Sequence, residues 1–131
     1  MSRESETIGW QQLREFADVD LAKSFVLSWH VEGDTLVIDI DLCLQPGHPF
    51  YEKPRPAEKR CIRPAWIEFP VCDAIHTGAD NHAEVVEVAG LLEHGAIADL
   101  VVLDDGQYAM SGEFDTVFIS AERPVLRLKG P

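Results

Sequence analysis

Hydrophobic and polar residues alternate most regularly over two stretches near the start of the chain. Ser24–Glu32, SFVLSWHVE, sets Phe25, Leu27, Trp29 and Val31 at every second position. Thr35–Leu44, TLVIDIDLCL, does the same with Leu36, Ile38, Ile40, Leu42 and Leu44, while Asp39 and Asp41 take the other face. A period of two marks strands with one buried face. Gly33-Asp34 between them is a two-residue hairpin turn with Gly at its first central position. Pairing Glu32 with Thr35 brings Val31 to Leu36, Trp29 to Ile38, Leu27 to Ile40 and Phe25 to Leu42. Both apolar rows then share one side of the sheet, and a slip of one residue would put one row in water.

The remaining pattern is mostly short strands. Leu13, Phe16, Ala17 and Leu21 form one apolar stripe at helical spacing, which predicts a short helix near Thr7–Ala17. Residues 45–57, QPGHPFYEKPRPA, hold four prolines and read as a stiff loop, because proline fixes φ and removes a donor. Arg60–Phe69 resumes strand patterning with Ala65, Ile67 and Phe69 inward, and Pro64 within it predicts an edge strand or a bulge. Residues 70–96 fit either a helix over Ala83–Leu92 or a strand, and extended, irregular structure is the expectation. Ile97–Leu103 and Gln107–Gly112 read as a second hairpin around a type I′ turn at Asp105-Gly106. Thr116–Ala121 and Val125–Lys129 follow as strands, the latter with Leu126 and Leu128 inward. The expected fold is a single mainly β domain over residues 1–131. Its expected architecture is an antiparallel sandwich or partly open barrel with one short N-terminal helix.

Charge changes this picture because it is unevenly placed. The net charge is −12, and Pro64–Glu122 holds twelve acids without one Lys or Arg. The cations cluster instead at Lys53, Arg55, Lys59, Arg60 and Arg63. Such a balance argues against a nucleic-acid partner, which needs a basic face to release counterions. The sequence predicts no membrane span and no export signal, since the apolar runs are short and the first sixteen residues are polar. Three widely spaced cysteines, Cys43, Cys61 and Cys72, make no disulfide framework, and a cytoplasmic protein is expected.

Candidate chemistry is sparse. Cys43, His48, Cys61, Cys72, His76 and His82 are zinc-capable donors, but only Cys72 and His76 lie close in sequence, so no metal or other cofactor is expected. Asp39 and Asp41 share a strand face, Glu113 and Asp115 flank Phe114, and Asp104-Asp105-Gly106 reads as turn chemistry. Nucleophile-elbow, P-loop and dinucleotide-binding motifs are missing. The Pro-rich loop presents His48, Phe50, Tyr51, Lys53 and Arg55, recognition material on a stiff support, unless Phe50 and Tyr51 fold back onto the core. The stretches SWHVEGDTLVIDIDLCLQPGHPFYEKPRP and GEFDTVFIS resemble a family of small bacterial β-rich proteins with no assigned activity. That resemblance implies a bacterial source and a β-rich fold, and it carries over no site residues. The functional expectation is a non-enzymatic binding module, in one form an acidic immunity-type inhibitor of a basic protein. The alternative is a small enzyme or ligand-binding barrel with its site inside the sheet. Candidate binding residues are His48, Tyr51 and Arg55 on the loop and Glu84, Glu87 and Glu93 on the acidic stretch. Self-association is left open.

Overall fold

The structure, a computed structural model, describes residues 8–77 and 85–129, without the side chains of Val86 and Glu87. It is mainly β. The strands are β1 (Ile8–Gly9), β2 (Val19–Glu32), β3 (Thr35–Leu44), β4 (Cys61–Phe69), β5 (Ala74–His76), β6 (Gly95–Val102), β7 (Tyr108–Gly112), β8 (Asp115–Ser120) and β9 (Val125–Leu128). All pair antiparallel in one sheet of order β5-β8-β7-β6-β2-β3-β4-β9, with β1 added to β6. The sheet does not close on itself. Only two residue pairs, Phe25 with Ala96 and Val26 with Gly95, join its halves through β2 and β6. The two halves cover one core: Phe69 of β4 packs on Tyr108 of β7 with ring centroids 5.2 Å apart. No helix among the described residues is long and apolar enough to cross a membrane.

The first hairpin keeps the expected register beside its turn and loses it further on. Glu32 pairs with Thr35, Val31 with Leu36 and Trp29 with Ile38. An extra residue at Leu27 then shifts the ladder, so Val26 faces Ile40 and Phe25 faces Asp41. This bulge reverses the expected inward row: Val26 is fully buried, whereas Phe25 and Leu27 are 37% and 43% exposed. A second break lies between Asp20 and Phe25.

Other expectations are also corrected. The N-terminal helix over Thr7–Ala17 is replaced by β1 and two 3-10 turns, Trp10–Gln12 and Arg14–Phe16. Leu13 and Phe16 are still buried, so the apolar stripe marked contact with the core without a helix to carry it. In place of irregular extended chain, β5 and a seven-residue helix α1 (Val85–Leu91) occupy much of the described part of 70–96. The turn after β6 is not type I′. The Gly106 amide bonds the Leu103 carbonyl at 2.9 Å, Gly106 alone carries positive φ (+91°), and Leu103 N–H meets the Gln107 carbonyl at 2.8 Å. That is a three-residue loop, a type I turn followed by a glycine bulge.

β4 is not an edge strand, since β3 and β9 flank it. Pro64 is tolerated because its carbonyl, and hence its ring nitrogen, faces the end of β9, where Lys129 N–H donates to that carbonyl at 3.0 Å.

Candidate functional site

The strand order sorts the charges. Strands β5, β8, β7 and β6, which are neighbours in the sheet, and β1 contain no Lys or Arg. Residues 74–120 carry nine carboxylates and no Lys or Arg. Of the acids in this half and its flanks, Asp73, Glu93, Asp99, Asp104, Asp105, Glu113, Asp115 and Glu122 are exposed. Among the described residues the cations lie on β2 (Lys23), β4 (Arg63) and β9 (Arg127), at the end of β9 (Lys129) and on the loop before β4, apart from Arg14 and Arg123 at the chain's turns.

A groove of about 320 Å³ opens on the acidic half, between α1 and the β7–β8 turn. Val88, Leu91, Leu92 and Phe114 form its apolar part, and Glu93, Glu113 and Asp115 its acidic part. Its floor is built from the core outward. Phe114 is buried and stands edge-on to Trp29, centroids 5.1 Å apart. The Trp29 indole donates to the Glu93 carbonyl at 2.8 Å, which ties the chain after α1 to β2. Two glycines permit this approach. A Cβ at Gly112 would strike the Ala96 carbonyl and the Phe114 ring, and one at Gly95 (φ +152°) would meet the Glu113 side chain at 2.6 Å. Glu113 Oε1 accepts the Ala96 amide at 2.8 Å, so this carboxylate also anchors the start of β6. Leu91, at the end of α1, is 80% exposed, the largest value among the exposed apolar side chains. Beside it in sequence, His94 stacks on Phe25 with centroids 6.1 Å apart.

Of the acidic residues expected from sequence, Glu93 lines this groove. Glu84 and the side chain of Glu87 lie outside the described residues. Leu91, Phe114, Glu113 and Asp115 complete the groove, and the only sequence signal for them was the Glu-Phe-Asp run after a strand.

The loop residues do not converge on one site. His48 Nδ1 accepts the Phe50 amide at 3.0 Å, and the Tyr51 amide bonds the His48 carbonyl at 3.0 Å, so His48 serves the local turn. Tyr51 is half-buried against the core while Phe50 is 61% exposed, which divides the two aromatics between the two expectations for this loop. Tyr51 and Phe50 line a groove of about 710 Å³ together with Arg63, Pro64, Leu128 and Lys129. Arg55 sits apart, its backbone amide held by Glu58 Oε1 at 3.1 Å.

On the outer face of β2, β3 and β4, Asp39 gathers polar groups. It accepts from Ser28 at 2.9 Å and pairs with Lys129 at 2.8 Å, and His30 lies 3.5 Å away. Burial pushes the Asp39 carboxyl up, but the bonds from Lys129 and Ser28 outweigh it and hold the group below its usual range. Ser28 bonds the carboxylate and not the imidazole, so the trio has no base placed on a nucleophile. Burial pushes the Cys72 thiol up to about 11, and it raises Cys43 too, with Asp20 adding to it. Neither is a thiolate at neutral pH. Among the described residues no three His, Cys, Asp or Glu side chains are grouped to hold a metal ion. Scans against protein-family models, curated proteins and solved structures each find no match.

Proposed function

We propose that this chain is a non-enzymatic binding module whose acidic half receives a cationic partner, as a small acidic inhibitor covers a basic protein. The observation that carries this reading is the groove of Leu91 and Phe114 edged by Glu93, Glu113 and Asp115, set in a half-sheet without Lys or Arg. An exposed apolar anchor beside carboxylates suits a partner segment carrying both Lys or Arg and an apolar side chain. The sheet interior supports this over a site inside a barrel. Among the described residues no Asp, Glu, Lys or Arg is buried; the buried hydroxyls and thiols are those of Ser24, Tyr108, Cys43 and Cys61, so a ligand there would meet no buried carboxylate or cation to orient it. We read the facing halves as sandwich-like, and the cytoplasm as the setting, where three unpaired thiols stay reduced.

The test is fluorescence anisotropy with two labelled amphipathic peptides that differ only in Arg against Gln. The Arg form is expected to bind, and to weaken as salt shortens the screening length. Leu91→Ser, and Glu93→Gln with Asp115→Asn, should each weaken binding while leaving the thermal midpoint nearly unchanged; Asn tolerates the positive φ of Asp115 (+69°). Equal binding of both peptides, or of neither, contradicts the proposal.

A further inference from the structure

Among the described residues β9 ends the sheet, and β4 is its only neighbouring strand. The Lys129 amide donates to the Pro64 carbonyl. Backbone groups alternate in direction along a strand, so Val125, Arg127 and Lys129 direct theirs at β4. Leu126 and Leu128 therefore turn one N–H and one C=O each outward, and among the described residues no backbone group meets these four. The side chains alternate too: Val125 and Arg127 are exposed, while Leu126 and Leu128 lean on the core. β9 covers β4 only from Ala65 to Glu68. Where it stops, the groove of about 710 Å³ opens, with Phe50, Tyr51, Pro64 and Leu128 in its apolar lining and Arg63, Lys129 and Glu52 as its charged residues, Glu52 paired with Arg63. Phe50 is bare and sits on a loop stiffened by prolines, so using it as a contact costs little entropy.

We propose that the outward backbone groups of Leu126 and Leu128, with the adjoining Phe50–Leu128 groove, take an added strand: an extended segment of a partner protein in which acidic and apolar side chains alternate.

Charge selects that occupant. Residues 52–63 hold five cations against two carboxylates, and Arg127 and Lys129 stand on the edge strand itself or at its end. A second copy of β9, paired antiparallel so that the outward Leu126 of each copy meets Leu128 of the other, would set Arg127 opposite Arg127, and like charges directly opposite are destabilising. An added strand with acids opposite Arg127 and Lys129, and apolar residues opposite Leu126 and Leu128, complements both rows. Arg127 bonds Glu68 at 2.9 Å and Lys129 bonds Asp39 at 2.8 Å, yet guanidinium and ammonium each keep further donors for a second carboxylate. An apolar side chain of the segment then enters the groove against Phe50. This site belongs to the opposite end of the strand order from the acidic groove, and neither proposal depends on the other.

The probe is a labelled peptide alternating Glu with Val and ending in Phe, titrated into the full chain. Its controls replace Glu by Lys, or keep the composition without the alternation. The alternating acidic peptide is expected to bind, with both controls weaker by at least about tenfold. Hydrogen exchange at the Leu126 and Leu128 amides should slow on binding. Arg127→Glu should weaken binding by about tenfold, and Phe50→Ser should weaken it as well. Leu128→Pro removes one outward donor without touching the β4 ladder and should also weaken binding. If that variant does not fold, the amide exchange of the unmodified chain decides. Absence of binding, or binding that leaves both amides unprotected, overturns the proposal. Dimerisation that protects the same amides without peptide assigns the edge to a second copy and overturns it too.

Discussion

Ser24 closes the gap where β2 breaks from β3. Its hydroxyl accepts the Cys43 amide at 2.9 Å and donates to the Asp20 carbonyl at 2.9 Å, in a position 2% exposed. Without it, the buried Cys43 amide and the Asp20 carbonyl lose this shared partner at the last pair before the ladder breaks. Ser24→Ala should therefore cost about 1–3 kcal/mol, far beyond what a surface serine contributes. Urea denaturation measures this, and a loss below about 0.5 kcal/mol would mean that the break is bridged by other means. Nothing in the sequence marks Ser24 apart from Ser28, Ser111 or Ser120. A serine that patches a bulge is visible only once the bulge is known.

Among the elements, the hairpin turn and the pairs from Glu32–Thr35 to Trp29–Ile38 were legible because alternation and turn chemistry agreed there. Beyond them, Phe25-Val26-Leu27 are three apolar residues in a row, and alternation cannot say which one points inward. β2 has 14 residues against 10 in β3, and the excess is taken up in two irregularities. The acidic groove was half legible: Glu93 and the Glu113-Phe114-Asp115 run were visible, but their meeting depends on the Trp29 indole reaching a carbonyl 64 residues away. Trp29 is thus both core and strut. Trp29→Ala should cost about 3–5 kcal/mol, by loss of buried apolar surface and by the cavity left behind. It should also loosen the chain around Glu93, seen as faster amide exchange at Leu92–Gly95 than the global loss accounts for. Under about 1 kcal/mol of destabilisation would remove Trp29 from the core.

Across the whole molecule, the fold concentrates like charge in one half of its sheet, and self-repulsion there opposes folding. The described ion pairs, Arg123–Glu15, Arg127–Glu68 and Lys129–Asp39 among them, are partly exposed and screened by solvent, so each contributes little. Salt weakens the repulsion and the pairs alike. With a net charge of −12 the repulsion outweighs these few pairs, so added salt at pH 7 should raise the thermal midpoint. The pH dependence has two parts. Neutralising surface carboxylates relieves repulsion, so the midpoint should rise from pH 7 toward about 5. The Arg123 bond holds the Glu15 carboxyl low, and Asp39 is held low by Lys129 and Ser28 against the effect of burial. Groups lowered in the folded state stabilise it fully above their unfolded values, about 4, and that contribution is lost as pH falls through the folded ones. Stability should therefore drop below about pH 4, and a midpoint that falls steadily from pH 7 to 5 would show that repulsion in the acidic half is negligible. Whether this half binds a cation-bearing partner at the α1 groove is decided by mapping amide shifts in a two-dimensional NMR titration with the Arg-bearing peptide. The shifts should be confined to the chain around Leu91–Glu93 and Glu113–Thr116 and disappear at high salt, with β4 and β9 unmoved. Shifts centred on β4, β9 or the loop before β4, or no shifts at any residue, would contradict binding at that groove.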